Sequence, residues 1–232
     1  MAEEILINLE NVTISHDTNV VLDCIGFTFM QNECVFLTGR VGSGKTSLLR
    51  LLYADLSSFS GNAVVCGYDM NEMKPAMIHK LRRRLGIVFQ DFQLLPDRSV
   101  RKNLEFVLKA TGWRSEQFDE RIQEVLRATG MNNAAEKMPS QLSGGEQQKV
   151  SISRALLNEP EIIIADEPTG NLDPTSSAEI FELLTGFTQQ GKSLIMATHN
   201  YQMVAKYPNA NIYHCCNKSL RKITLQELEK VE

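Results

Sequence analysis

Gly39-Arg40-Val41-Gly42-Ser43-Gly44-Lys45-Thr46 decides the fold. The run fits G-x-x-x-x-G-K-[ST], and its flanks are the ones that pattern needs. Cys34-Val35-Phe36-Leu37-Thr38 reads as a strand before it, and Leu48, Leu49, Leu51 and Leu52 mark a short apolar helix after it. Glycines let the backbone close around phosphate oxygens, with successive N–H groups turned inward and the positive end of the helix behind them. A helix terminus contributes only about 0.3–2 kcal/mol, so a triphosphate also needs the Lys45 ammonium and a metal ion. Thr46 supplies a hydroxyl for Mg²⁺, and Ser47 is placed for another phosphate oxygen.

Upstream, Ile5, Ile7 and Leu9 alternate along an extended segment. Phe27-Thr28-Phe29-Met30 and Cys34–Thr38 read as further strands across a turn at Gln31-Asn32-Glu33. An antiparallel β portion therefore leads in. Downstream come a strand around Ala63–Cys66, a turn at Gly67-Tyr68-Asp69, a basic helix over about Met77–Arg84 and the strand Gly86–Phe89. From about 91 to 140 the period is helical, as in Val100, Leu104, Val107 and Leu108, which predicts an inserted helical subdomain. After it, a helix from Ser143, the strand Ile162–Ala165, a helix from about Ser176 and the strand Ser193–Ala197 alternate. Apolar runs of that kind indicate buried parallel strands. The expected architecture is α/β, a single domain over 1–232 with a mixed sheet core, an antiparallel portion and a C-terminal tail over about 217–232. A short amphipathic helix is expected in that tail from Thr224 to Glu232.

Two more stretches carry chemistry. Ile162-Ile163-Ile164-Ala165 ends in Asp166-Glu167, so a buried strand delivers two carboxylates to the edge where ligands of open α/β sheets bind. Asp166 is expected in the Mg²⁺ shell, and Glu167 beside the terminal phosphate as the base that polarises water. Leu142-Ser143-Gly144-Gly145-Glu146 opens the helix before that strand. Ser143 and Glu146 are spaced as a capping box, while Gly144 and Gly145 bare N–H groups for a second anion site.

Composition excludes several classes. The chain has 232 residues, 43% hydrophobic and 22% charged, enough for one sizeable core and unlike a disordered chain. Its formal net charge of −4 offers no general attraction to nucleic acid or anionic lipid. No apolar run approaches the ~20 residues of a membrane span, and Met1-Ala2-Glu3-Glu4 lacks a signal-peptide start, so a cytoplasmic location is expected. Five cysteines in no metal-ligand spacing read as reduced thiols.

Lys45-Thr46, Gln90, Leu142-Ser143-Gly144-Gly145-Glu146-Gln147-Gln148, Asp166-Glu167, Asn171-Leu172-Asp173 and His199 occur in the order of the ATP-binding cassette (ABC) ATPases, which the chain resembles from about Leu6 to Cys215. The resemblance implies a P-loop NTPase fold and an ATP- and Mg²⁺-dependent ATPase. It also implies a head-to-tail homodimer, formed with ATP, in which each ATP lies between one phosphate loop and the other copy's Ser143-Gly144-Gly145. By it, Gln90 would touch Mg²⁺ and the attacking water, and His199 the terminal phosphate. Asp173 would lie in the loop that crosses between subunits. His16 stands where the family usually stacks an aromatic ring on adenine, Gln31-Asn32-Glu33 replaces a common Pro-Gly-Glu turn, and Lys149 an Arg.

Within the family, Gln90–Val100 with Asn103 and Met196-Ala197-Thr198-His199 is similar to the cell-division branch. That branch implies a transmembrane partner, attachment to the cytoplasmic face of the inner membrane, and activation of peptidoglycan hydrolases. Phe92, Leu94, Leu95 and Pro96 would receive a helix of that partner. Lipoprotein-release and macrolide-export ATPases share Pro168–Asp173 and are the alternative. A soluble ATPase acting on ribosomes or DNA is the competing class.

Overall fold

The computed structural model describes residues 4–230. In chain order the strands and helices are β1 (Ile5–His16), β2 (Asn19–Met30), β3 (Cys34–Thr38), α1 (Lys45–Leu52), β4 (Phe59–Val65), β5 (Tyr68–Asp69), α2 (Pro75–Arg84), β6 (Leu85–Val88), α3 (Val100–Ala110), α4 (Phe118–Ala128), α5 (Gly144–Leu156), β7 (Ile162–Asp166), α6 (Pro174–Gln189), β8 (Ser193–Ala197), α7 (Tyr201–Val204), β9 (Asn211–Cys216), β10 (Ser219–Ile223) and α8 (Leu225–Leu228).

Three apolar runs without alternation become the centre of a six-stranded sheet ordered β10-β9-β3-β8-β7-β6, parallel except for the β9–β10 hairpin. Both faces of these strands are covered, so their middle residues are apolar, and the polar Thr38, Asp166 and Ser193 stand at strand ends. Phe36, Ile163, Ala165 and Met196 pack into one cluster with α3, α4, α5 and α6. Val35, Leu37, Ile162, Ile164, Ile195 and Ala197 pack into the other, with α1 and the four-stranded antiparallel sheet β2-β1-β4-β5. The alternation of the strand pleat thus divides one sheet between two cores.

Several expectations change in the details. Gln31-Asn32-Glu33 does not close a hairpin, because β2 lies in the antiparallel sheet while β3 enters the parallel one. Glu33 makes that switch possible by accepting the N–H of Met30 at 2.8 Å and the side-chain amide of Asn211, which ties the turn to β9. Ile5 is exposed while Ile7 and Leu9 are buried, since a register shift between Ile5 and Ile7 breaks the alternation. Cys66 and Gly67, both at positive φ, make the turn, and Tyr68-Asp69 form a strand instead. Within the C-terminal stretch from about 217, β10 pairs antiparallel with β9. Helix α8 covers four residues only, Glu229-Lys230 form a turn, and the last two residues of the expected helix, 231–232, lie outside the described residues.

Candidate functional site

The phosphate loop joins the C-terminal end of β3 to α1, as its sequence requires. Gly39 and Gly44 have φ of +139° and +105°, which other residues adopt only with strain. A Cβ at Gly39 would also stand 2.5 Å from the carbonyl oxygen of Cys215. Beneath the loop, Thr38 Oγ1 and His214 Nδ1 lie 3.0 Å apart in a buried contact. Above it, Val41 is 91% exposed and nothing stands within 4 Å of a Cβ built on Gly42. The loop therefore presents its backbone to an open space. Ser43 Oγ is buried without a hydrogen-bond partner. Lys45 Nζ donates to the carbonyls of Gly39 at 2.8 Å and Arg40 at 3.3 Å, so its charge is folded back over the loop.

Strand β7 brings its carboxylates to the same place. Asp166 Oδ1 accepts from Thr46 Oγ1 at 3.2 Å. Burial pushes the Asp166 carboxyl up, against the Thr46 hydroxyl that favours its ionised form. Glu167 Oε1 lies 3.3 Å from Lys45 Nζ, and its Oε2 lies 2.8 Å from His199 Nδ1. The backbone N–H of His199 also reaches Oε2, at 3.3 Å. Lys45, Glu167 and His199 thus form one chain of charge and hydrogen bonds across the end of the sheet, with Glu167 largely shielded at 14% side-chain exposure.

The remaining candidates occupy two neighbouring positions. His16 Nε2 lies 3.0 Å from Ser47 Oγ, at the end of β1 and beside α1. Gln90 Nε2 donates to Asn171 Oδ1 at 3.2 Å, which holds it against the segment after Glu167. Ser143 caps α5, accepting the N–H of Glu146 while Glu146 accepts the N–H of Ser143, and these bonds hold the Glu146 carboxyl below its usual range. Gly144 and Gly145 face Leu172, Phe92 and Ser176 of their own chain, not the phosphate loop. Asp173 caps α6 through the N–H groups of Thr175 and Ser176, both at 3.0 Å. Of the apolar cluster, Leu94 packs on the core, Phe92 and Leu95 are half-buried and Pro96 is exposed.

Thr46 and Asp166 offer a hydroxyl and a carboxylate, the hard oxygen donors that suit Mg²⁺. Among the described residues no cluster of three His, Cys, Asp or Glu makes a dedicated metal cage.

The ABC transporter family model matches residues 22–170. This chain belongs to the ABC transporter family. Membership makes it an ATP-binding ATPase subunit, and its fold agrees. It is 40% identical to the cell division ATP-binding protein FtsE of Mycobacterium tuberculosis over 201 residues, 86% of this chain and 87% of that protein. With FtsE of Escherichia coli it shares 37% identity over 185 residues, 80% and 83% of the two chains. Among solved structures, the cassette MJ0796, a dimer in a post-hydrolysis state with ADP and Pi, aligns with a TM-score of 0.83 at 29% identity over 94% of this chain and 98% of that one. CbiO1 of Clostridium perfringens, part of the transporter complex cbiONQ, aligns at 0.88 with 27% identity over 98% and 92%.

Sequence reasoning missed several residues of this ABC site. Asn171 is legible in the sequence only as part of the run Asn171-Leu172-Asp173, yet its amide bonds both Gln90 and Asp91. Arg154 crosses from α5 to the carbonyls of Phe92 and Gln93, and nothing in its spacing announces that. Glu167 takes a φ of 47°, which no sequence pattern signals in a residue other than glycine.

Proposed function

We propose that this chain is the ATP-hydrolysing subunit of an FtsE-like membrane complex in cell division, with Glu167 as the base. The hydrolytic part of this reading is carried by the Lys45–Glu167–His199 chain beside the Thr46–Asp166 pair, and the cell-division part is supported by the 40% identity to FtsE. Lys45, the Ser47 hydroxyl and the loop N–H groups of 39–47 bind the phosphates of ATP, and His16, 3.0 Å from Ser47 Oγ, lies toward the nucleoside. Thr46 and Asp166, with Gln90, would hold Mg²⁺, which would supply positive charge to the phosphate oxygens when bound. Glu167 takes up the proton of the attacking water, and His199 orients that carboxylate and the terminal phosphate. In transferring from Glu167 to phosphate, Lys45 releases the carboxylate for this role.

A second copy, arranged head to tail, brings its Ser143-Gly144-Gly145 over the same nucleotide. Both Gly144 and Gly145 sit in the first turn of α5, where N–H groups have no helical partner and favour an anion. Loss of the terminal phosphate removes contacts from both copies, so the pair loosens. An FtsX-like transmembrane protein takes up that motion and passes it to peptidoglycan hydrolases, with the chain peripheral on the cytoplasmic face of the inner membrane. No nucleic-acid partner is expected from the net charge of −4. No helix among the described residues is long and apolar enough to cross a membrane, which fits attachment through a partner.

Glu167→Gln should keep MgATP affinity, lower steady turnover at least 100-fold and accumulate a dimer on size exclusion with MgATP. A monomeric variant with near-normal turnover overturns the assignment. The tagged Glu167→Gln chain, purified from native membranes with MgATP, should carry an FtsX-like protein with it. Recovery of a lipoprotein-release or export permease would transfer the chain to that branch, and ribosomes would transfer it to the soluble class.

A further inference from the structure

Arg154 of helix α5 bonds the carbonyls of Phe92 and Gln93, while Gln148 ties the helix to both catalytic loops at once. Gln148 is fully buried, and its Nε2 donates to the carbonyl of Phe89 at 3.0 Å and to the carbonyl of Pro168 at 2.8 Å. Phe89 immediately precedes Gln90, and Pro168 immediately follows Glu167. Two carbonyl acceptors fix the amide's orientation, because its oxygen could bond neither of them. Gln148 Oε1 is buried with no partner, so the donor half alone holds this residue in place. A buried polar atom left unpaired is unfavourable, and it is tolerated here together with the two bonds made by its neighbour.

Spacing gives the contact its reach. Gly144 and Gln148 stand four residues apart, on one face of α5. That face meets Leu172 and Phe92 at Gly144 and the two carbonyls at Gln148. Asn171 and Gln90 then bond each other across the same seam. The helix start, the Gln90 segment and the Glu167 segment therefore share a single junction.

We propose that Gln148 is a positioning residue that makes the first turn of α5, Gln90 and Glu167 move as one body, so that engagement of Ser143–Gly145 sets the catalytic side chains. This rests on the roles proposed above for Gln90, Glu167 and Ser143–Gly145. Gln148→Met removes both donors at similar volume. It should lower kcat at least 10-fold while fluorescent-ATP Kd stays within about 3-fold. Hydrogen exchange read by mass spectrometry on the full chain should speed up over both 89–93 and 168–172, with the amides of β7 and β8 unchanged. If either loop keeps its protection, or kcat is unaffected, the proposal fails. Faster exchange throughout the core marks a merely structural role and overturns it too. Gln148→Asn keeps the NH₂ on a shorter arm and should fall between wild type and Gln148→Met; it also serves if the latter does not fold. Because exchange is read without turnover, an active Glu167→Gln chain would defeat the assignment of the base and leave the junction to stand or fall on the two loops.

Discussion

Glu167 holds its carboxylate in place through a backbone that few residues accept. A left-handed φ of 47° costs on the order of 1–3 kcal/mol in a residue other than glycine, and it persists only where the surroundings determine it. Here the N–H of Glu167 bonds the carbonyl of Ala197 at 3.0 Å and its own carbonyl accepts from Gly170 at 3.0 Å, so both sides of the residue are clamped. The turn swings the side chain away from the line of β7, where Asp166 faces Thr46, towards His199. His199 in turn fixes Oε2 from two donors, its N–H and its ring. His199→Ala should therefore reduce kcat by about 10²–10⁴, the range of a misplaced general base, with nucleotide affinity close to wild type. Phosphate release and fluorescent-ATP titration on one preparation separate the two quantities. A parallel loss of affinity would make His199 a binding residue instead.

Between elements, β6 and α5 approach each other closely at Gly86. A Cβ on Gly86 would stand 2.7 Å from the carbonyl oxygen of Ala155 and 2.9 Å from Pro160 Cγ, and backbone cannot retreat as a flexible side chain can. Gly86→Ala is expected to cost about 1–3 kcal/mol, lowering the urea midpoint with the slope preserved. A midpoint equal to wild type would show that the strand can shift. The glycine itself was legible only as part of a strand, because its reason lies in a neighbour far along the chain. Local signals were the ones that sequence carried: Ser143 with Glu146 forms the capping box that its spacing announces, and the runs at 162–165 and 193–197 become β7 and β8. Helix α6 starts at Pro174, two residues ahead of the expectation, because Asp173 caps it. Strands β9 and β10 went unread for a physical reason. Their turn, Asn217-Lys218, takes two positive φ values without a glycine, and Asn211-Ile212-Tyr213-His214-Cys215-Cys216 mixes polar and apolar residues without a period of two. Likewise the phosphate loop and carboxylates were readable, whereas Gln148, Asn171 and Arg154 act through tertiary contacts that spacing does not encode.

Across the whole molecule, the two cores enclose groups whose ionisation would oppose folding. Burial pushes the thiols of Cys34, Cys66 and Cys215 up from 9.0 to about 12, and the Tyr53 hydroxyl from 10.0 to about 12. Cys66 and Tyr53 belong to the cluster between the two sheets, while Cys34 packs on the helical side. In the unfolded chain the thiols lose protons above pH 9.0; in the folded chain they keep them until about pH 12. The unfolded state then binds fewer protons, so stability falls as pH rises through this interval. Below pH 9 both states hold the protons and these groups impose no slope. Each thiol contributes a slope on the order of 1 kcal/mol per pH unit, and three acting together approach about 4 kcal/mol per unit. Urea midpoints measured from pH 7 to pH 10.5 should thus stay flat to about pH 9 and then drop steeply. Replacing Cys66 and Cys215 by Ala should lessen the slope between pH 9 and pH 10 to roughly one third, leaving Cys34 there and Tyr53 to add its share above pH 10, although the smaller side chains lower stability at pH 7. An alkaline limb of unchanged steepness in that double variant would show that these two thiols have no part in the loss.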